Sequence, residues 1–272
     1  MKVAAIQMIS GQDVARNLRQ AQEGLERAAA EGARLALLPE YFCLMGRQDT
    51  DKLAIAEDDG NGPLQDFLAA QAQRLDLWLV GGTLPLRAPQ AGRVYNSALV
   101  YAPDGSRAAR YDKMHLFAYD NGRESYDEAR VLTPGQQPCT FDCSDRDGGT
   151  WRVGLAICYD LRFPELFRQM MTPQACDLLC VNAAFTATTG RAHWDVLLRA
   201  RAIENQTWLL ASAQGGVHDN GRATWGHSQL IDPWGEVQVL RGTGVGAVVG
   251  TLSRERLAEV RSQLPALEHR RC

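Results

Sequence analysis

The 272-residue chain predicts an α/β fold built on two mixed β-sheets. Three observations carry this. Short apolar runs alternate with amphipathic helical periods, the order expected of strands separated by helices. Hairpin signals interrupt the alternation, so some strands must be antiparallel. Strand-like runs number about ten, more than one open sheet usually holds. An apolar fraction of 45% and a charged fraction of 22% are ordinary for a globular chain. No linker, repeat or low-complexity tract divides the sequence, so residues 1–272 read as one domain.

Residues 2–8 are apolar and short, a first strand. Asp13 is placed to cap a helix running through Glu31, because Val14, Leu18, Ala21, Leu25 and Ala28 fall on one face. Residues 35–38 form a buried strand ended by Pro39-Glu40. Pro63 opens a second helix with Leu64, Phe67, Leu68 and Leu75 inward. A third strand, 77–80, closes on Gly81-Gly82. Residues 96–101 and 107–111 flank Pro103-Asp104-Gly105, a hairpin signal. Residues 117–133 are polar with little period, and a loop that long is usually functional. Strand 151–157 precedes a helix begun at Phe163-Pro164, then come strand 177–182, helix 193–205 and strand 207–213. Residues 224–231 and 236–240 pair across Asp232-Pro233-Trp234-Gly235, followed by strand 245–252 and helix 254–264.

The net charge is −3, which gives no reason to expect nucleic acid or an anionic membrane as partner. No apolar run reaches the roughly 18 residues of a membrane span. The opening MKVAAIQMIS reads as a strand rather than a signal peptide, so the expected compartment is the cytosol. Seven cysteines, an odd number, read as free thiols in such a chain. Cys139/Cys143 and Cys176/Cys180 lack the neighbouring His or Cys of a zinc knuckle, and no metal or other cofactor is implied.

Three reactive groups each follow a strand-like run. Glu40 follows RLALLP, Lys113 follows the strand 107–111, and Cys158 follows WRVGLAI. Ligands of open α/β sheets gather at the carboxyl ends of strands. Singly, each group has a plainer role as cap, surface charge or core thiol. Together they suit nucleophilic hydrolysis. A thiol is mostly protonated at neutral pH and needs a base, which Glu40 could supply. Lys113 and the Tyr159 N–H could hold the oxyanion of a tetrahedral intermediate. A cationic Lys113 would also favour thiolate at Cys158.

The segments LALLPEYF, YDKMHLF and GLAICYDLRFPEL, in that order, resemble the nitrilase, or carbon–nitrogen hydrolase, superfamily. The resemblance runs from Lys2 to Arg271. It implies a four-layer αββα sandwich, a homodimer, a small-molecule amide substrate and no cofactor. It also implies a Glu-Lys-Cys triad at Glu40, Lys113 and Cys158. The family's second glutamate matches Glu128 in SYDEARVLTPG, with Glu124 as the nearby alternative. NAAFTATTGRAHWDVLLRARAIENQ, ATWGHSQLIDPWGEV and the ending RSQLPALEHRR are similar to the branch containing deaminated-glutathione amidase. The sibling ω-amidase branch shares CYDLRFPE.

On this reading Arg162 would fork the carboxylate of a 2-oxo acid, or else form an ion pair with Glu165 or Asp160. Phe185 and Thr186 would line the acyl pocket. A Cys–His dyad is the rival mechanism, but no papain-like signature surrounds Cys158. His115, His193 and His227 therefore read as structural, and His218 as exposed. Trp151, Trp194, Trp208, Trp225 and Trp234 read as core and interface packing. A catalytically silent interaction protein is the remaining alternative, against which the intact triad weighs.

Overall fold

A computed structural model describes residues 1–271. The Asp13 side chain caps the first helix, accepting from the Arg16 N–H at 3.0 Å. In chain order the elements are β1 (Lys2–Gln7), α1 (Val14–Ala30), β2 (Leu35–Leu37), α2 (Pro63–Leu75), β3 (Trp78–Val80) and β4 (Leu84–Arg87). Then come β5 (Val94–Tyr101), β6 (Arg107–Asp112), β7 (Ala118–Asp120), β8 (Ser125–Asp127), β9 (Cys139–Ser144) and β10 (Thr150–Ile157). The second half holds α3 (Pro164–Gln169), β11 (Leu178–Ala183), α4 (Ala187–Asn205) and β12 (Trp208–Ala213). β13 (Gln229–Ile231), β14 (Val237–Leu240), β15 (Gly246–Thr251) and α5 (Arg254–Gln263) complete it.

One sheet runs β15-β1-β2-β3-β5-β4, with β6 also paired to β5, and the other runs β14-β13-β12-β11-β10-β9. The trios β1-β2-β3 and β10-β11-β12 are parallel. Side chains alternate across a strand, and this sorts the first sheet into two apolar faces. Val3, Ala5, Leu35, Leu37, Ala98 and Val100 pack with Val153, Leu155 and Val181 of the second sheet. Ala4, Ile6, Ala36, Leu79 and Leu99 face the other way, onto Leu25 of α1 and Leu68 of α2. Trp194, Leu198 and Ala202 of α4 join the core from the second sheet's side, against β12. The result is helix, sheet, sheet, helix, the αββα order.

The carboxyl ends of both parallel trios are tied to one another. A parallel bridge joins Met8, just past β1, to Gln214, just past β12. The Gln214 side chain accepts from the Ser10 N–H at 3.0 Å and donates to the Glu40 carbonyl at 3.1 Å. This seam is where an α/β sheet offers a binding site.

Several elements differ from expectation for physical reasons. α4 begins at Ala187, six residues before His193, because the Thr186 side chain caps it through Thr189 N–H. The expected strand 224–231 is shortened to β13, since Gly226 and His227 have φ of 69° and 56° and cannot be extended. β4 was hidden by Pro85, which is tolerated because β4 is an edge strand. β9 was hidden by its polar outward positions. The loop 117–133 contains the small hairpin β7-β8. Among the described residues no helix is long and apolar enough to cross a membrane.

Candidate active site

The apolar run of β2 stops at Pro39, and Glu40 follows at the seam, 1% exposed. Its Oε1 accepts from Lys113 Nζ at 2.9 Å and from Asn96 Nδ2 at 2.9 Å. Its Oε2 accepts from the Ala184 N–H, just past β11, at 2.8 Å. Lys113 leaves β6 with its N–H donating to the Asn96 carbonyl at 3.0 Å, which turns the side chain inward. Its Nζ also lies 2.9 Å from Glu128 Oε1 and 2.8 Å from Glu128 Oε2. Glu128 is fixed in turn by the Tyr41 hydroxyl at 2.8 Å and the Phe117 N–H at 2.7 Å. One buried ammonium thus sits between two carboxylates, each held by further donors, with Glu40 Oε2 still able to take a proton.

Cys158 ends β10 at a sharp turn, with φ of 50°. That left-handed backbone is uncommon for a residue with a Cβ and costs about 1–3 kcal/mol. Asp160 holds the turn in place. Its Oδ2 accepts from the Ile157 N–H at 2.9 Å and from the Tyr111 hydroxyl at 2.7 Å, and its Oδ1 accepts from the His115 N–H at 3.0 Å. The turn presents the thiol to a cleft lined by Glu40, Phe117, Glu128, Tyr159, Phe185 and Arg222. Outside it lies a vestibule of about 500 Å³ that shares Phe117, Glu128 and Arg222 with the cleft.

The electrostatics push these groups in different directions. Burial pushes the Cys158 thiol well above its usual range; Glu40 adds to this, and Lys113 opposes it without winning. Burial alone would lower the Lys113 ammonium, but Glu128 and Glu40 outweigh it and hold the group above the ordinary lysine range. Glu128 would be raised by burial, yet Lys113 brings it below the ordinary carboxylate value. Lys113 thus acts on the thiol in the direction expected from the sequence, against burial and Glu40.

Residues 2–262 match the carbon–nitrogen hydrolase family. The chain belongs to that family. A deaminated glutathione amidase from Synechocystis is 41% identical over 270 residues, spanning 98% of this chain and 97% of that protein. The ω-amidase NIT2 of Pongo abelii is 35% identical, spanning 99% and 94%. A solved CN-hydrolase superfamily protein of Xanthomonas campestris, which carries an arsenic adduct in its active site, superposes with a TM-score of 0.85. That structure is 31% identical and covers 100% of this chain and 97% of its own. This carbon–nitrogen hydrolase is a nitrilase-superfamily amidase, acting on carbon–nitrogen bonds of amides other than peptide bonds.

The structure brings Glu40, Lys113, Glu128 and Cys158 of this hydrolase to one place, from four separate segments. Glu128, not Glu124, lies on Lys113; Glu124 accepts from the Thr188 hydroxyl at the vestibule. Tyr159, Phe185 and Thr186 line the cleft, while Arg162 does not. Arg162 makes no ion pair with Glu165 or Asp160. Its guanidinium rests over the Phe185 and Tyr159 rings at 5.2 and 5.8 Å and donates to His193 Nδ1 at 3.2 Å.

No histidine lines the cleft. His115 stacks on Phe163 at 3.7 Å and pairs with Asp160, and His227 stacks on Trp225 at 4.2 Å. His218 corrects the expectation of exposure. It is buried because both ring nitrogens find partners, the Ser10 carbonyl at 2.7 Å and the Thr224 hydroxyl at 2.8 Å. Burial keeps its pKa below the usual histidine value. Trp151, Trp194 and Trp208 are core, whereas Trp234 is 48% exposed. Sequence reasoning missed Asn96, Tyr41, the Ala184 N–H and Arg222. Of these only Asn96, a polar side chain inside an apolar strand, left a visible signal. Among the described residues no three His, Cys, Asp or Glu side chains converge as a metal site.

Proposed function

We propose that the protein is a thiol amidase that cleaves a small 2-oxo acid amide through Glu40, Lys113 and Cys158. The observation that carries this is the buried Glu40–Lys113–Glu128 cluster on the same cleft as the strained Cys158. Cys158 Sγ attacks the amide carbon as its proton passes to Glu40. The carbonyl oxygen becomes an oxyanion held by the Lys113 ammonium and the Tyr159 N–H. Glu40 returns the proton to the departing amine, leaving a thioester on Cys158. Water then attacks the thioester, giving its proton to Glu40, and the acid leaves as the thiol is restored. Glu128 keeps Lys113 charged and oriented.

The favoured substrate is deaminated glutathione, giving 2-oxoglutarate and cysteinylglycine. The higher identity to the Synechocystis enzyme of that name supports it over an ω-amidase acting on 2-oxoglutaramate. An N-carbamoyl amino acid amidohydrolase is a further alternative. Tyr159, Phe185 and Thr186 form the acyl wall, with Arg162 behind it as one source of carboxylate binding. In this reading residues 1–272 are one catalytic domain working in the cytosol, with no cofactor and no nucleic-acid or membrane partner.

Cys158→Ala is expected to abolish hydrolysis while leaving the melting temperature near that of the parent. Mass spectrometry of the parent during turnover should find the acyl group on Cys158. Retained turnover in the alanine variant would refute the mechanism. Side-by-side kcat/KM values for deaminated glutathione, 2-oxoglutaramate and an N-carbamoyl amino acid decide the substrate, the first expected to be highest.

The same reading makes the protein a homodimer. Val196 and Ile203 of α4 are 66% and 47% exposed, and α4 meets the turn that carries the exposed Trp234, Arg199 Nε donating to the Gly235 carbonyl at 2.8 Å. Exposed apolar groups of this number are commonly covered by a partner. Sedimentation should give a dimer, and Ile203→Glu with Trp234→Glu should shift it to monomer. A monomeric parent would remove the dimer from the reading.

A further inference from the structure

Arg222 is the arginine that lines both the cleft at Cys158 and the outer vestibule. We propose that it binds the carboxylate of the amide substrate at the junction of the two cavities. This rests on the reading of the protein as an amidase for carboxylate-bearing amides.

Three observations support it. First, the guanidinium has no acidic partner: among the described residues no carboxylate pairs with it, and its buried Nε has no hydrogen-bond acceptor. Two other partly buried arginines are paired, Arg201 with Glu204 at 2.8 Å and Arg256 with Asp232 at 2.9 Å, while Arg93 and Arg168 are satisfied by backbone carbonyls. A buried donor left empty is costly, and a carboxylate fits a guanidinium edge through two parallel hydrogen bonds.

Second, the group is held without being neutralised. One amino nitrogen donates to the Ala184 carbonyl at 3.1 Å, and the guanidinium lies 4.9 Å over the Tyr126 ring. The backbone is fixed by Asn220 Oδ1, which accepts from the Arg222 N–H at 2.9 Å, and by the His218 N–H donating to its carbonyl at 2.9 Å. A fork fixed in this way loses little freedom when it binds.

Third, the charges that line the cleft favour it. Glu40 and Glu128 both face the cleft, and Lys113 is already shared between them. Lys52 bears on Glu128 from the vestibule side, but among the described residues that line the cleft itself one cation stands to meet an anionic substrate. Arg222 is that cation. Arg162 is the competitor, but it stands behind the rings of Phe185 and Tyr159.

The test measures kcat and KM of the parent, Arg222→Met, Arg222→Lys and Arg162→Met on 2-oxoglutaramate and on pentanamide, a neutral amide of equal chain length. The preference for the anionic amide should fall by about 10–100-fold in Arg222→Met, mainly through KM, the range expected for a lost charge-assisted fork. Arg222→Lys should recover part of it, and it keeps a cation if the Met variant does not fold. Deaminated glutathione and its C-terminal glycinamide separate the two possible carboxylates. A loss that persists with the glycinamide assigns the fork to the acyl carboxylate. A loss confined to the unmodified form assigns it to the leaving group.

An unchanged preference in Arg222→Met with no loss on deaminated glutathione either, or a loss that follows Arg162→Met instead, overturns the assignment and leaves the amidase reading standing. A parent that hydrolyses none of these amides, or prefers pentanamide, overturns both.

Discussion

Lys113→Met is expected to destabilise the fold by about 3–5 kcal/mol and to remove measurable hydrolysis. The ammonium is 1% exposed and bonds two carboxylates, so the change leaves Glu40 and Glu128 facing each other unpaired. Like charges in one buried site cannot both stay ionised, so one carboxyl takes up a proton. That fixes the sign of the pH dependence. In the variant the carboxyl that takes up this proton is raised by its like-charged neighbour, so the deficit shrinks as pH falls. In the parent the Glu128 carboxyl is lowered by Lys113 once burial is overcome, so its contribution is present above the usual carboxylate range and is lost as pH falls through the folded value. The raised Lys113 contributes below the ordinary lysine pKa and is lost only as pH rises past its higher folded value. Urea unfolding at pH 5 and pH 8 checks this. A deficit that is equal at both values, or absent, would show that the cluster does not hold the two carboxylates together.

Glu40→Gln should separate two properties that a simple loss of fold would move together. Amide hydrolysis should drop by about 10²–10⁴-fold, the usual contribution of a positioned general base. Alkylation of Cys158 by iodoacetamide at neutral pH should become faster, because Glu40 is one of the charges that raise the thiol. The replacement also cannot satisfy every neighbour. Glu40 accepts from Lys113, Asn96 and the Ala184 N–H through its two oxygens, and a glutamine must turn its NH₂ toward one side of that set. Hydrolysis and the alkylation rate, followed by mass spectrometry on the same samples, give both readouts. Slower alkylation would contradict the electrostatic account. A greater loss of activity in His115→Ala, His193→Ala or His227→Ala would favour a Cys–His mechanism instead.

The main framework was readable because apolar runs and their punctuation are local. Asp13, Pro63 and the run before Pro39 mark elements through their own chemistry, and Glu40, Lys113 and Cys158 stand where such runs stop. What escaped depends on partners far along the chain. His218 looks like a surface loop residue until Ser10, 208 positions away, supplies a carbonyl. α4 gains an early turn from one cap at Thr186, although Thr188, Thr189 and Gly190 are poor helix formers. Arg222 sits among Gly and Asn, and only the fold shows that it lines the same cleft as Cys158. Glu128 became distinguishable from Glu124 through its contact with Lys113, which the Tyr41 hydroxyl and the Phe117 N–H hold in place.

The bridge between Met8 and Gln214 gives the molecule a hinge line it cannot afford to open. The carboxylate belongs to one half and the sulfur to the other, so neither half carries a working fragment. A motion that parted the halves would break the Glu40 contact to Ala184 and separate Glu40 from Cys158. Amide protons along that line, at Ser10 and Ala184, therefore become natural sentinels of inactivation, exchanging with solvent as the halves come apart.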